Sequence, residues 1–170
     1  PYLKENDISY SIRPFISSEF FRILYRDGCR SKKFLYFLSS TIRRLRDAID
    51  SIDYDIVFVH IESFPFWPAV LEYLFSILGK PIIYDFEDAV YLQNFRSQHR
   101  FLDTLRYPRK FFQILRLSSH IVVCNKYMKE FVYPYNPNVT VIPTSIDIKK
   151  FKLKEAYLNN QPVVVGWIGS

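Results

Sequence analysis

The sequence predicts an α/β fold in which helices flank a parallel β-sheet. Short apolar runs rich in β-branched residues alternate along the chain with segments of helical periodicity, and this alternation is typical of βαβ units. Three of the runs are apolar almost throughout, as expected for strands that are covered on both faces of a sheet. The predicted strands are Ile8–Ile12, Asp55–His60, Pro81–Asp85, His120–Cys124, Val139–Ile142 and Pro162–Ile168.

The composition agrees with a folded domain and excludes several other classes of protein. The chain has 170 residues, enough for one domain with a sizeable core, and 49% of them are hydrophobic. Only 4 glycines are present, which excludes collagen-like and linker-rich chains. The two cysteines, Cys29 and Cys124, are too few for a disulfide framework and lack the spacing of a zinc site, so we expect a reducing compartment. No uncharged stretch is long enough to span a bilayer.

The segments between the predicted strands have helical patterns. Phe34–Ile52 repeats apolar residues at close to helical spacing and also carries three arginines. Trp67–Leu78 is apolar on nearly all sides, and Gly79 is expected to end that helix. Gln98–Leu117 mixes basic residues with bulky apolar ones, and Pro108 is expected to kink or break it.

The two ends of the sequence suggest additional elements. Residues 1–6 have the pattern of the end of a helix that leads into the first predicted strand, so we expect a strand and a loop before them. Residues 149–161 are polar and are predicted to form a linker. The strand that follows suggests that a second domain begins in residues 162–170, after a first domain in residues 1–148.

Polar side chains follow four of the predicted strands directly. Ligands of an open parallel sheet bind beyond the carboxyl ends of its strands, so these residues are the candidates for a site. Carboxylates, an imidazole, an amide and a glycine turn are expected to share one edge of the sheet. The residues are His60, Glu62 and Ser63, then Asp85, Glu87 and Asp88, then Asn125, and finally Gly169 and Ser170.

Several of these residues also fit a purely structural role. His60 fits a hydrogen-bonded structural histidine as well as a functional one. Glu87 and Asp88 fit the N-cap and first-turn acid of a helix, and Asn125 fits the N-cap of the helix that follows it. The acids Asp85, Glu87 and Asp88 are also suitable ligands for a hard cation, although neither a fourth ligand nor a glycine-containing loop supports a metal there.

Basic and aromatic residues are interleaved between Arg96 and Arg116. The stretch fits a solvated helix face, a surface for anionic lipid headgroups, or a nucleic-acid patch. The bulky apolar residues favour an interfacial helix over nucleic-acid binding, for which the sequence has no recognised motif. The residues predicted to contact an anionic membrane are Arg100, Arg106, Arg109, Lys110 and Arg116.

Five short motifs follow one another in a fixed order. They are Tyr54–His60, Lys80–Ala89, Ser119–Tyr127, Val139–Asp147 and Val165–Gly169. In this order and spacing they resemble the family-four (group-one-like) glycosyltransferases, which have the GT-B fold. Residues 2–14 also resemble that family's first helix and second strand.

The resemblance implies two Rossmann-like domains that face each other across a cleft. The first binds the acceptor and the second binds a nucleotide-sugar, which is the donor substrate and not a cofactor. The chain would then be the N-terminal, acceptor-binding half of a GT-B fold without its first strand, a Rossmann-like parallel sheet flanked by helices. The implied reaction transfers the donor sugar to a polysaccharide or lipid-linked acceptor, usually with retention, and takes place in the cytoplasm or at the inner face of the membrane.

The resemblance also implies roles for individual residues. His60 stands where the family often has a histidine. Many members carry another histidine near the transferred sugar, and Asp88 matches the acid beside that histidine. Glu87 replaces a histidine beside that acid; because a carboxylate cannot replace a neutral imidazole unless its pKa is raised, Glu87 is expected to orient the acceptor or to act as a base. Thr144 and Ser145 replace the usual Asn-Gly pair of the hinge loop.

The sequence therefore predicts a site in three parts. The predicted catalytic residues are Glu87 and Asp88; the acceptor-binding residues are His60, Glu62, Asp85 and Asn125; the donor diphosphate is bound by Gly169 and Ser170. Neither a metal nor a nucleic acid is expected. The alternative is a non-catalytic binding module of flavodoxin-like topology that uses the same crevice for a small ligand.

Overall fold

In the part of the chain that the structure describes, the fold is built on a parallel sheet of four strands whose order in space is their order in the chain. The computed structural model describes residues 2–66, 68–87 and 109–145, together with Gly166. The strands are β1 (Val57–His60), β2 (Ile82–Phe86), β3 (His120–Val123) and β4 (Val139–Val141), and each neighbouring pair is parallel. The predicted α/β class with a parallel sheet is confirmed.

Six α-helices accompany these strands among the described residues. They are α1 (Tyr2–Glu5), α2 (Ser18–Leu24), α3 (Arg30–Asp50), α4 (Val70–Ile77), α5 (Lys110–Leu117) and α6 (Lys126–Val132). In this part of the chain, none of the helices has the length and apolar content needed to cross a bilayer.

Two predicted helices are found with shifted bounds. α3 begins at Arg30 instead of Phe34 and continues into the 3₁₀ turn Ser51–Asp53. α4 is shorter than predicted, and Gly79, with a φ of 69°, follows its end as expected. A positive φ is available to glycine without strain, so this residue allows the chain to leave α4 and enter β2.

Other predicted elements lie partly or wholly outside the described residues. Of the predicted helix at 98–117, the structure describes α5, whereas residues 98–108 lie outside. The predicted linker at 149–161 and the strand at 162–168, apart from Gly166, lie outside as well. The predicted domain boundaries therefore stay predictions.

The predicted strand at residues 8–12 is wrong. α1 confirms the helical pattern before it, but the chain then runs past Ile8 and Ile12 without pairing with a strand, and both side chains are exposed. A strand requires a neighbour that pairs with its N–H and C=O groups. A cavity of about 790 Å³ lies between residues 10–15 and β1, which among the described strands is the edge strand on this side of the sheet.

The core lies between the sheet and the helices that follow β1. On β2, Ile82, Tyr84 and Phe86 are almost completely buried, whereas Ile83 and Asp85 on the other face are partly exposed. The ring of Phe111 packs edge-on against Phe86, with 5.1 Å between the ring centroids. Other buried residues of the cluster include Leu71, Phe75, Ile114, Leu115, Ile121, Val123, Met128 and Val132. This packing fixes β2 and β3, from which two of the predicted site segments emerge.

Candidate functional site

The best-defined part of the candidate site is an imidazole–carboxylate pair at the carboxyl end of the sheet. His60 is the last residue of β1, and the register places it directly opposite Asp85 in β2. His60 Nδ1 and Asp85 Oδ2 are 2.9 Å apart. The His60 side chain is 55% exposed and that of Asp85 is 29% exposed, so a ligand can reach both.

An unusual backbone turn follows His60 immediately. Ile61 has a φ of 64°, a region that costs a β-branched residue about 1–2 kcal/mol. Two hydrogen bonds hold it there: its N–H donates to Asp85 O at 2.9 Å, and the Tyr84 hydroxyl donates to its carbonyl at 2.8 Å. Because strained backbone clusters at functional sites, the turn is a second indication of a site at this strand end.

The loop after this turn is anchored by charged residues from two helices. Lys110 Nζ, on α5, donates to Glu62 Oε2 at 3.1 Å and to the carbonyl of Phe64. Both the N–H and the hydroxyl of Ser63 donate to Oε1 of Glu72, a fully buried acid on α4. One carboxylate oxygen of Glu62 is thus engaged in an ion pair with Lys110. The predicted acceptor-binding role of Glu62 stays a prediction.

The structure contradicts the predicted membrane contact of Lys110. Its side chain is buried and paired with Glu62, so it has no surface from which to reach a lipid headgroup. Arg109 and Arg116 are exposed, and the Arg116 guanidinium lies 5.8 Å from the centre of the Tyr135 ring. Arg100 and Arg106 lie outside the described residues.

A second group of contacts joins the ends of β2, β3 and β4. Glu87 is exposed directly after β2, and the Thr144 hydroxyl donates to its Oε2 at 3.3 Å. The Cys124 thiol, after β3, lies 3.4 Å from the Glu87 carbonyl. The structure thus brings Glu87 to the same sheet edge as the His60–Asp85 pair.

Asn125 caps the helix that follows it. Its Oδ1 accepts a hydrogen bond from Met128 N at 2.8 Å, and its Nδ2 lies 3.3 Å from the sulfur of Cys124. The structural alternative predicted for Asn125 is therefore confirmed, and α6 begins at Lys126 because of it. Asn125 remains exposed, and its contact with an acceptor stays a prediction.

The remaining predicted residues cannot be placed in this geometry. Asp88, Gly169 and Ser170 lie outside the described residues. Within the described ranges, no three His, Cys, Asp or Glu side chains converge in a way that could hold a metal ion.

The site contains residues that the sequence did not identify. Glu72 and Lys110 hold the loop, and Thr144 contacts Glu87. Only Glu72 had a signal in the sequence, because it is the single charged residue in the apolar run from Trp67 to Leu78. The partners of Lys110 and Thr144 are distant in the chain, so no local pattern reveals them.

The arrangement is suited to binding and polarising a hydroxyl group. With Nδ1 of His60 engaged by Asp85, Nε2 is the ring nitrogen available to a ligand, and the carboxylate fixes the orientation of the ring. Strand spacing of about 5 Å puts the ends of β1 and β2 within reach of one sugar ring.

Comparison with known proteins identifies the family. Residues 9–150 match the family model described as Glycosyltransferase Family 4, a range that includes all four strands together with His60, Asp85 and Glu87. No curated protein matches the chain. The match covers most of the sequence and confirms the resemblance, and it supports a function of the glycosyltransferase type. The chain therefore belongs to glycosyltransferase family 4.

Proposed function

We propose that the protein transfers a sugar from a nucleotide-sugar to a hydroxyl group of a polysaccharide or lipid-linked acceptor, with retention at C1. The proposal rests on family membership and on one observation, the accessible His60–Asp85 pair at the carboxyl edge of the sheet. In this proposal the described chain supplies the acceptor side of the site. The two cysteines are free thiols, which agrees with a cytoplasmic place of action.

The proposed chemistry is a single group transfer. The acceptor oxygen forms a bond to C1 of the sugar, the bond from C1 to the diphosphate breaks, and its electron pair leaves with the nucleoside diphosphate. His60 Nε2 accepts a hydrogen bond from a neighbouring hydroxyl of the acceptor and so positions the reacting oxygen, whose own proton is left free to transfer. Glu87, exposed at the next strand end, receives the proton, and Thr144 holds its side chain.

Three further assignments belong to the same proposal. Asp88 is a second catalytic residue beside Glu87. Gly169 and Ser170 contact the donor diphosphate through their backbone N–H groups, which stabilise the negative charge of the leaving diphosphate. Glu62 and Asn125 contribute polar contacts to the acceptor.

The proposal is tested by the release of nucleoside diphosphate from a panel of nucleotide-sugars, with the full natural chain and glycan acceptors. We expect one donor to be consumed, and we expect His60→Gln and Asp85→Asn each to lower kcat/KM by about 10- to 100-fold without a matching loss in Tm. Glu87→Gln should lower kcat more than it raises KM, because it removes a proton acceptor.

His120→Gln is the matched control. His120 begins β3 at the opposite end of the sheet, where its Nε2 lies 2.9 Å from the Thr140 hydroxyl. The activity of the His120→Gln variant should equal that of the unmodified protein. Equal losses for His60→Gln and His120→Gln would contradict the proposal. So would binding of a nucleotide without turnover of any donor, the result expected for a non-catalytic binding module.

A further inference from the structure

Helix α3 turns six of its apolar residues away from the protein. They recur at helical spacing, so they form one stripe that runs for about 22 Å between its first and last members. Each of these side chains is between 45% and 64% exposed. This apolar stripe consists of Phe34, Leu35, Leu38, Ile42, Leu45 and Ile49.

The opposite face of α3 holds the helix on the protein through the ring of Phe37 as well as through small and polar residues. Ser40 and Ala48 are buried there. Asp47 is almost fully buried and accepts hydrogen bonds from Arg13 at 3.0 Å and Arg44 at 3.4 Å. An ordinary surface helix exposes its polar face to water, whereas α3 packs some apolar side chains inward and leaves a whole apolar stripe on its outer face. A contiguous apolar surface that remains in water marks an interaction site.

Basic residues border the apolar stripe. A shallow surface cavity of about 400 Å³ is lined by Leu35, Leu38 and Ile42 together with Arg43 and Arg46. The segment from Ser17 to Arg46, which contains α2 and most of α3, has eight Lys and Arg against two acids. Its net charge of +6 equals that of the whole chain.

α2 adds aromatic side chains to the same segment. It packs on α3 through the stacked rings of Phe20 and Tyr36, whose centroids are 5.7 Å apart. The next residue, Phe21, and Tyr25 are exposed and touch edge to face. Aromatic and apolar side chains next to basic ones are the composition of helices that lie in a membrane interface.

We propose that the apolar stripe of α3 and its basic border bind the surface of an anionic lipid bilayer. The charge selects this occupant, because anionic headgroups attract the Lys and Arg residues while the stripe enters the boundary of the acyl chains. A second copy of the chain would bring two surfaces of the same positive charge together. This inference goes beyond the proposed transfer reaction and does not depend on it.

The test is co-sedimentation of the full natural chain with vesicles of phosphatidylcholine, with or without phosphatidylserine. We expect roughly tenfold more binding to the anionic vesicles, and this excess should disappear at high salt. Leu38→Glu combined with Ile42→Glu should abolish binding, and Arg46→Glu should weaken it severalfold. None of these three side chains is buried, so the fold should persist, and Tm checks that it does.

Matched controls lie on other helices. Ile77→Glu on α4 replaces an apolar residue that is more exposed than Leu38 and Ile42, and Lys126→Glu on α6 reverses an exposed charge. Both should bind vesicles as the unmodified protein does. Equal binding to neutral vesicles would overturn the proposal, as would equal losses in the controls. A dimer in solution that Leu38→Glu dissolves would assign the stripe to a second copy. A loss on Arg116→Glu as large as that on Arg46→Glu would move the contact to α5.

Discussion

Glu72 is a fully buried acid beside the site. Its Oε1 accepts both hydrogen bonds from Ser63, whereas Oε2 has no hydrogen-bond partner among the described residues. A buried acid of this kind is costly and is retained only where it satisfies other buried groups. In this structure it satisfies the two donors of Ser63, and so it fixes the loop that begins at His60.

Two substitutions of Glu72 separate its role as a hydrogen-bond acceptor for Ser63 from the space that its side chain fills. Glu72→Ala leaves the N–H and hydroxyl of Ser63 unpaired and opens a void, so we expect a loss of about 2–4 kcal/mol in the free energy of unfolding. Glu72→Gln keeps an acceptor for Ser63 and should lose less than about 1 kcal/mol. Urea unfolding measures both, with Glu130→Ala on the surface of α6 as the neutral control. Equal losses for the two variants would show that Ser63 does not depend on the acceptor.

The connection from α4 to β2 sets the position of β2, one of the strands that carry the site. Lys80 N donates to Phe75 O at 2.9 Å, a bond that closes the end of α4 around Gly79. The Lys80 ammonium then donates to the carbonyls of Ile52 and Tyr54, which precede β1. A single helix end therefore ties the start of β2 to the start of β1, and the register between His60 and Asp85 follows from it.

Gly79→Ala tests the helix end. Nothing lies within 4 Å of a Cβ added at Gly79, so the cost is the backbone strain of a φ of 69° alone, about 1–2 kcal/mol. Gly79→Asn should cost less, because asparagine tolerates this conformation better. The measurement is Tm, and Ser76→Ala, one turn earlier and exposed, should leave it unchanged or slightly raised. A Gly79→Ala variant as stable as the control would contradict the role given to this turn.

At the scale of the whole molecule, Tyr84 couples the core to the site. Its ring packs among Phe86 and Phe111 in the centre of the sheet, and its hydroxyl donates to Ile61 O. Burial raises the pKa of Tyr84 well above its ordinary value, with the nearby acid Glu72 acting in the same direction. The native state therefore keeps this phenol protonated at a pH where the unfolded chain loses the proton.

The global stability should consequently fall in alkali. A raised pKa in the native state gives stability that is fully present below about pH 10, the pKa of an unfolded tyrosine, and is lost above it by about 1.4 kcal/mol per pH unit. Tyr84→Phe should cost about 1 kcal/mol at neutral pH and flatten the alkaline fall. The free energy of unfolding, measured between neutral pH and pH 11, checks both expectations. Tyr127→Phe, at an exposed position, should keep the slope of the unmodified protein; a flattened slope in that variant would contradict the assignment to Tyr84.

The parts of the fold that the sequence predicts well are those set by local patterns. The apolar runs placed β2 and β3 within one residue of their ends, and Asn125 and Gly79 marked a helix start and a helix end. Those polar residues after the strands that the structure describes, such as Asp85 and Glu87, lie on one edge, because parallel strands end together.

The features that the sequence did not predict are set by distant contacts. Residues 8–12 have a strand-like pattern, but pairing depends on a neighbour that the pattern does not contain. The helical spacing in α3 revealed a stripe without revealing that the stripe faces outward. Lys110 resembled a surface lysine, and only its contact with Glu62, 48 residues away, shows that it is buried.

The four described strands lie in the sheet in the same order as in the chain, and this has a consequence for folding. Each strand pairs with the strand that precedes it in the chain. Adding a strand to the sheet during folding therefore closes only one loop, and the conformational search remains short. Assembly can follow synthesis from the ribosome. The His60–Asp85 contact spans 25 residues and becomes possible as soon as β2 docks on β1, before β3 and β4 are needed. Half of the candidate site can therefore form early, and Glu87 gains its partner Thr144 only when the last described strand has joined the sheet.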